Sequence, residues 1–268
     1  MHHIFLSPHY DDAVYSCGGT LASLTAAGES VTVLTICAGS PPTDQLSWFA
    51  EQLHERWGLS DPKAVETMIK IRRQEDQNAL QLVGAQSHYL QVPDCIYRRG
   101  GERNRWLYAR EETLFGKLNG LEDGLISDIA RSLISFTNQI SDDPDNEVRV
   151  ISPLAIGNHV DHQLVRYAAE RAFGAETLTF YQDFPYILNR DQIVTYEDSA
   201  DWQSNIVYLD ESAIDNKVAA ITAYESQIST FWENKQALDK EVREFVRGWG
   251  NGEVYWSFYP SSLRQGYL

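Results

Sequence analysis

A continuous apolar and β-branched run at residues 31–37 is the feature that most restricts how this chain can fold. Strands with one face in water alternate apolar and polar residues, so an unbroken run indicates a strand buried on both faces. A shorter apolar run at residues 3–6 precedes it, and a helical pattern that Gly28 ends lies between the two. A strand, a helix and a second strand in this order favour a right-handed crossover and a parallel sheet.

The same alternation of strands and helices continues along the chain. Further strands are predicted at 88–92, 148–153 and 177–181. Helices are predicted at 45–59, at 61–83, at 126–140, from 163 onward and over a long stretch after 211. This pattern predicts an α/β fold with a Rossmann-like, mostly parallel sheet and helices on both faces. No linker or repeat divides the chain, which predicts one domain over 1–268 with a helical and aromatic extension at about 211–268.

The charge balance narrows the classes of partner. The chain carries 22 basic and 38 acidic residues, a formal net charge of −16, whereas nucleic acids and anionic membranes need a basic surface. No run approaches the ~20 apolar residues of a membrane-spanning helix, and residues 1–6 lack the pattern of a signal peptide. The cysteines include no C-x-x-C pair, which favours a reducing compartment, and we expect a cytoplasmic protein. The oligomeric state stays open, with a homo-oligomer as one alternative.

The first group of reactive side chains follows the first predicted strand, at residues 7–13. His9 and Asp12 are three residues apart in a tight turn and can point at one centre, whereas Asp11 points elsewhere. Imidazole and carboxylate together are ligands of first-row metals, and a neighbouring carboxylate off the metal suits a general base. The alternative is ordinary turn chemistry, in which one carboxylate caps the next helix.

A second group, at residues 159–162, follows the fourth predicted strand. Ligands of open α/β sheets bind at the carboxyl ends of the parallel strands, so both groups are expected at the same sheet edge. His9, Asp12 and His162 then form a two-histidine, one-carboxylate set with a position open for water, the pattern of a catalytic zinc site. The first strand is not followed by G-x-G-x-x-G, which disfavours a dinucleotide site.

Both groups resemble motifs of the LmbE-like/PIG-L family, which consists of metal-dependent N-acetylglucosaminyl deacetylases. The family's P-H-P-D-D-E, followed by G-G, is similar to residues 8–13 and to Gly18-Gly19. Its H-x-D-H motif is similar to residues 159–162. Weaker helix motifs of the family are matched by Arg72, Glu75, Leu80, Gly84, Lys217, Ala220, Ser226 and Gln227. The resemblance therefore spans nearly the whole chain.

The resemblance implies a role for most polar residues of the two groups. Carried over by position, His9, Asp12 and His162 bind zinc, with iron(II) as the alternative metal. Asp11 is the general base, and His159 stabilises the oxyanion or protonates the leaving amine. These two residues are also the ones that the ligand set leaves over for proton transfer.

Supporting roles follow from the same comparison. Asp161 is expected to act in catalysis by orienting His159. Arg72 and Asp94 are expected to hold sugar hydroxyls of the substrate. The chain departs from the family's Pro, Glu and His at three positions: Tyr10, Ala13 and Tyr224. None of these departures removes a ligand or the base.

The expected activity is zinc-dependent hydrolysis of the N-acetyl group of an amino sugar or glycoside, a small-molecule substrate. One alternative is a metal-dependent amidase that acts on a mycothiol-conjugate-type amide, because such enzymes share these motifs. Another is a non-catalytic sugar-binding or metal-binding relative. A nucleotide-binding Rossmann protein is disfavoured, because the glycine motif is missing.

Overall fold

The computed structural model describes residues 1–42, 44–59, 62–141 and 147–260. Most of the predicted polar turn at 141–146 lies outside this part, as do the first residue of the helix predicted at 61–83 and the end of the extension predicted at 211–268. Among the helices within the described ranges, none is long and apolar enough to cross a membrane.

The strands form one large sheet and one short hairpin. They are β1 (His2–Ser7), β2 (Ser30–Thr35), β3 (Gln86–Tyr89), β4 (Arg99–Gly100), β5 (Arg105–Trp106), β6 (Val148–Pro153), β7 (Thr179–Tyr181), β8 (Trp202–Tyr208) and β9 (Gly252–Phe258). In the part of the chain that the structure describes, seven of them form a sheet in the order β3-β2-β1-β6-β7-β9-β8. The first five of that order are parallel, whereas β9 is antiparallel to both neighbours. The predicted mostly parallel α/β sheet is therefore confirmed.

Helices connect and flank these strands. They are α1 (Asp12–Ala26), α2 (Trp48–Arg56), α3 (Pro62–Leu82), α4 (Glu111–Leu114), α5 (Asp123–Ile140), α6 (Val160–Phe173), α7 (Val194–Glu197), α8 (Glu211–Thr222), α9 (Glu225–Phe231) and α10 (Lys235–Gly248). The long stretch predicted after 211 is thus divided into three helices. Asn234 caps α10 with its side chain, which accepts the N–H of Ala237 and starts a new helix there.

The sheet order places the ends of β1 and β6 beside each other. From β1 the chain moves to β2 and β3 on one side, and then it returns to β6 on the other side. The register between the two strands runs from His2 opposite Val148 to Phe5 opposite Ile151. A point where the strand order reverses in this way opens a crevice at the carboxyl ends of the strands. Both groups of reactive side chains follow these two ends.

Two strands of the sheet were not expected from the sequence. β8 has exposed polar residues in its first half, and β9 combines glycine with aromatic residues, so neither has a clear period-two pattern. β9 lies between β7 and β8, within the main sheet. The described part of the predicted extension therefore contributes a strand to the sheet as well as the helices α8, α9 and α10.

A small second core lies over the crevice. It is formed by Phe49, Ala50, Cys95, Ile96, Tyr108, Leu114 and Val160. All of these except Val160 come from α2 and from the segment at 95–114, so we call these two parts the cap. Val160 stands between His159 and Asp161, which ties the cap to the start of α6. The segment at 95–114 includes the β4–β5 hairpin, so the hairpin is part of the cap.

Candidate metal centre

The turn after β1 is held by its own hydrogen bonds. Ser7 Oγ accepts the N–H of Ala13 (3.0 Å), and Asp12 Oδ2 accepts the N–H of His9 (2.8 Å). These bonds close the turn and bring the side chain of His9 back over Asp12, with His9 Nδ1 3.1 Å from Asp12 Oδ2. Asp11 is the N-cap residue of α1, but its side chain makes no capping hydrogen bond. The capping alternative for Asp11 is therefore wrong.

The turn after β6 uses unusual backbone conformations. Ala155, Gly157 and Asn158 all have positive φ angles, of 62°, 92° and 57°. These angles reverse the chain just before α6, and glycine and asparagine tolerate them well. His159 is the N-cap residue, and its Nδ1 accepts the N–H of Asp161 (3.3 Å). His162 lies in the first turn of α6, where the helix directs it toward β1.

The two turns meet at one point. His9, Asp12 and His162 each offer a ligand atom, and these atoms all lie within 4.8 Å of one another. His162 Nε2 is 3.3 Å from Asp12 Oδ2. The same nitrogen is buried and has no hydrogen-bond partner. A buried polar atom without a partner is costly, and a cation at this point would satisfy it. The donor set of two imidazoles and one carboxylate fits zinc or iron(II).

Asp183 orients His162, although no role was predicted for it from the sequence. Its Oδ1 lies 2.6 Å from His162 Nδ1, and its Oδ2 accepts the N–H of Ile156 (2.9 Å). This contact places the ring proton on Nδ1 and leaves Nε2 free to bind a metal. Burial alone would lower the pKa of His162, but the carboxylates of Asp12 and Asp183 raise it to about 9. Its position in the sequence could have indicated this role, because Asp183 follows the end of β7 just as His9 follows the end of β1.

Asp161 contacts a different histidine from the one expected. Its Oδ2 lies 2.9 Å from His9 Nε2 and accepts the N–H of Cys95 (3.2 Å). Its other oxygen accepts from Arg98. The hydrogen bond to His159 comes from the backbone N–H of Asp161, while the carboxylate of Asp161 and the ring of His159 offer atoms that lie within 4.8 Å of each other. The role expected for Asp161 in orienting His159 therefore stays a prediction.

Arg98 is a buried cation that sequence reasoning missed. It is 5% exposed, and its guanidinium donates to Asp161 and also to Glu122, which in turn accepts from Tyr108. Buried charges are stable only when paired, so this chain of contacts fixes the position of Asp161 and, through it, that of His9. Arg98 lies in a basic and aromatic stretch of the sequence, residues 97–108, and nothing in that stretch indicated that one of its arginines is buried.

The two residues expected to transfer protons have different environments. Burial raises the pKa of Asp11, although Arg72 Nη2, 3.6 Å from Asp11 Oδ1, opposes that shift. Burial lowers the pKa of His159 to about 4, so its imidazole is neutral near pH 7. Its ring centroid lies 5.2 Å from that of His9 and 5.5 Å from that of His162. Asp11 and His159 therefore both lie beside the proposed ligands.

The two residues expected to hold the substrate also lie at the rim of this cluster. Arg72 has a buried Nε without a hydrogen-bond partner. Asp94 Oδ2 is 3.6 Å from His9 Nε2, while its Oδ1 accepts the N–H of Ile96 (3.1 Å). The roles given to these residues, to the ligands and to the base stay predictions.

Two aromatic residues that the sequence did not single out lie against the histidines. The Phe115 ring is 5.4 Å from His159 and remains 43% exposed. The Tyr186 ring is 5.4 Å from His162, and it occupies the space that a side chain on Gly157 would need. A Cβ at Gly157 would lie 2.6 Å from that ring. The turn before α6 thus needs glycine both for its φ angle and to seat Tyr186.

Comparison with known proteins agrees with the family resemblance of the two sequence motifs. The family model described as GlcNAc-PI de-N-acetylase, PIG-L, matches residues 4–173. A 2'-N-acetylparomamine deacetylase from Niallia circulans is 34% identical over 191 residues, which cover 68% of this chain. The chain spans 66% of that protein's length.

Solved structures extend the similarity to nearly the whole chain. A teicoplanin deacetylase in complex with teicoplanin is 27% identical, with a TM-score of 0.74, and the match covers 97% of this chain and 99% of that one. A zinc-inhibited form of teicoplanin deacetylase Orf2 is 28% identical, with a TM-score of 0.73 and coverage of 96% and 97%.

Proposed function

The chain belongs to the GlcNAc-PI de-N-acetylase (PIG-L) family, and on that premise we propose that it hydrolyses the N-acetyl group of an amino sugar or glycoside. The observation that carries the proposal is the meeting of His9, Asp12 and His162 beside a buried imidazole nitrogen without a partner. Relatives named as deacetylases of acetylparomamine and teicoplanin support an amino-sugar substrate.

His9, Asp12 and His162 would hold the metal, with zinc as the first choice and iron(II) as the alternative. A divalent ion bound there lowers the pKa of a water molecule to about 7 and polarises the amide carbonyl. Zinc inhibits one relative, teicoplanin deacetylase Orf2. The identity and the concentration of the metal are therefore variables of the test.

Asp11 would act as the general base. Its carboxylate is buried next to the proposed ligand Asp12 and does not cap the helix, so it can accept a proton from the attacking water. A raised pKa makes Asp11 a stronger base than an exposed aspartate. Arg72, 3.6 Å away, keeps the carboxylate charged until the proton arrives.

His159 would stabilise the oxyanion. Its Nδ1 accepts the N–H of Asp161, so in the neutral imidazole the proton sits on Nε2. Nε2–H can donate a hydrogen bond to the tetrahedral oxyanion, and the proton that Asp11 takes from the water passes to the nitrogen as the C–N bond breaks. The products are the free amine and acetate.

Arg72 and Asp94 would bind hydroxyls of the sugar, because both present polar atoms at the rim of the cluster. We propose a cytoplasmic location on the strength of the unpaired cysteines, which are all buried and free. Homo-oligomer formation stays a prediction.

The decisive experiment measures acetate release from a panel of N-acetylated sugars and glycosides. The enzyme is first treated with a chelator and then reloaded with zinc, iron(II) or cobalt(II) at equimolar and excess concentrations. We expect release only from metal-loaded protein. Faster cleavage of a mycothiol-type conjugate would favour the amidase alternative. Metal and sugar binding without any acetate release would favour a non-catalytic relative.

A further inference from the structure

A buried ion pair forms hydrogen bonds with backbone groups of α1. In a regular helix the N–H of Gly19 bonds to the carbonyl of Tyr15, and that of Thr20 bonds to Ser16. Here Lys217 Nζ donates to the carbonyls of Tyr15 (2.7 Å) and Ser16 (3.0 Å).

Glu253, the partner of Lys217 in this ion pair, binds the next turn of α1. Its carboxylate accepts the N–H of Gly19 (3.0 Å) and of Thr20 (2.8 Å), and also the hydroxyl of Thr20 (2.6 Å). Lys217 Nζ and Glu253 Oε1 lie 2.6 Å apart. We call Lys217 and Glu253 the clamp.

The Gly18-Gly19 pair makes this approach possible. A Cβ at Gly18 would lie 3.1 Å from Lys217 Cγ, and one at Gly19 would lie 2.3 Å from Leu209 and 3.2 Å from Glu253 Oε1. A side chain at Gly18 would crowd Lys217, and one at Gly19 would force the end of the Leu209 side chain to move. Both members of the clamp are buried, with side-chain exposures of 0% and 2%.

The clamp connects to both halves of the candidate metal centre through Ser16. The carbonyl of Ser16 accepts from Lys217, and its hydroxyl accepts the N–H of Phe184 (3.1 Å). Phe184 directly follows Asp183, which orients His162. Asp12 begins the same helix one turn before Ser16. One residue of α1 therefore fixes both the ligand of the first turn and the support of the second.

We propose that Lys217 and Glu253 are positioning residues that set the distance between Asp12 and His162. The proposal rests on the proposed metal-dependent function. Stability alone explains the clamp poorly, because well-packed apolar residues often replace a buried ion pair without loss. What the charges can do, and apolar groups cannot, is bind two carbonyl groups, at residues 15 and 16, and two N–H groups, at residues 19 and 20, and so fix the axial position of α1.

The test is a metal-binding titration with cobalt(II), whose visible spectrum reports ligand geometry. Three proteins are compared with the wild type: the double variant Lys217→Met with Glu253→Gln, the single variant Ser16→Ala, and the control Ile221→Ala. Ile221 is a fully buried residue of α8 that belongs to the apolar core. Ile221→Ala lowers the melting temperature by opening a cavity one helical turn from Lys217, and it removes none of the clamp's hydrogen bonds.

We expect the double variant to bind cobalt(II) at least about tenfold more weakly and with an altered spectrum, as changes behind metal ligands usually do. Ser16→Ala, which keeps the clamp but removes the link to Phe184, should weaken binding several-fold. If the double variant does not fold, Glu253→Gln alone replaces it, because glutamine keeps the shape of the side chain and removes its charge. The Ile221→Ala control should retain wild-type affinity and spectrum.

Wild-type affinity in the clamp and Ser16 variants would overturn the proposal, and so would an equal loss in the control. If the wild type itself bound no metal, the proposed function would fall together with this inference. That result differs visibly from a failure of the clamp alone.

Discussion

The molecule contains two buried clusters of charge, and they differ in how completely their polar atoms are paired. In the clamp, Lys217 Nζ has three acceptors, and each carboxylate oxygen of Glu253 has at least two donors. In the candidate metal centre, His162 Nε2 and an Arg98 guanidinium nitrogen have no hydrogen-bond partner. A cluster whose polar atoms are all paired stabilises the folded protein, whereas a cluster with unpaired buried atoms can gain those partners by binding a ligand.

The balance of charge supports the same distinction. The clamp is neutral, with one lysine and one glutamate. In the candidate centre carboxylates outnumber guanidinium groups; the carboxylates are Asp11, Asp12, Asp94, Asp161 and Asp183, and the guanidinium groups are Arg72 and Arg98. Such an excess of negative charge in a buried site favours a divalent cation. The following predictions test this difference.

The largest effect is expected from Asp11→Asn. Removing the base should lower kcat by about 10³-fold, while the metal affinity stays within about twofold, because Asp11 is not one of the proposed ligands. Steady-state acetate release and a zinc titration measure the two quantities. Asp128→Asn, an exposed change on α5, is the matched control. A fully active Asp11→Asn protein would remove Asp11 from the mechanism.

In the clamp the largest effect is on folding. Lys217→Met leaves the Glu253 carboxylate buried without its counter-ion, which should cost about 3–5 kcal/mol in the free energy of unfolding. Adding Glu253→Gln removes the unpaired charge and should recover much of that loss. Urea denaturation of the single and double variants gives both values. Equal stability of the two variants would mean that the charge of Glu253 is not the cause.

A smaller effect is expected behind His162. Asp183→Asn keeps the shape of the side chain but weakens the hydrogen bond to Nδ1, so metal affinity should fall about 10–100-fold. The change should leave the clamp intact, and the melting temperature of the metal-free protein should change little. Calorimetric zinc titration against the wild type measures the affinity. An unchanged affinity would show that the ring is oriented without Asp183.

The last prediction concerns pH and lies outside both clusters. Burial raises the pKa of Asp76 to about 7, although the hydroxyls of Tyr89 and Tyr224 donate to its carboxylate and oppose the shift. The unfolded chain releases this proton near pH 4, so between about pH 4 and pH 7 only the folded state binds it. Stability should therefore fall as pH rises through that range, by at most about 1.4 kcal/mol per pH unit.

Asp76→Asn isolates this contribution. The difference in unfolding free energy between wild type and variant should change across pH 4–7 and be constant above pH 7.5. A difference that is flat from pH 4 to pH 8 would mean that Asp76 titrates normally. Because the Tyr224 hydroxyl also lies 3.0 Å from the carbonyl oxygen of Tyr10, the variant also tests how firmly the turn after β1 is held.

The sequence predicted the parallel part of the sheet and the meeting of its two reactive turns. Both predictions depend on local information, since apolar runs identify strands and the carboxyl ends of parallel strands share one edge. Helix starts were less well predicted. α1 begins at Asp12 and α6 at Val160, several residues earlier than the apolar periodicity indicated, because polar ligands occupy their first turns.

The parts that the sequence did not predict depend on contacts between distant residues. Arg98 meets Asp161 across 63 residues, and Glu253 meets Gly19 across 234. No local pattern distinguishes a buried arginine from an exposed one before its partner is known. The strands β8 and β9 were missed for a related reason, because their antiparallel pairing with each other and with β7 determines which faces are buried.

The reach of Glu253 across the chain has a consequence during synthesis. At about 5–20 residues per second, the ribosome needs roughly 10–50 s to pass from Gly19 to Glu253. His162, the last of the proposed metal ligands, is made partway through that time, and until Glu253 follows, the glycine and threonine amides of α1 lack its carboxylate as an acceptor. For the 36 residues between Lys217 and Glu253, the lysine also lacks its counter-ion. A translational pause in that interval would leave the nascent chain with all its proposed metal ligands made, while Glu253 is not yet available to hold α1.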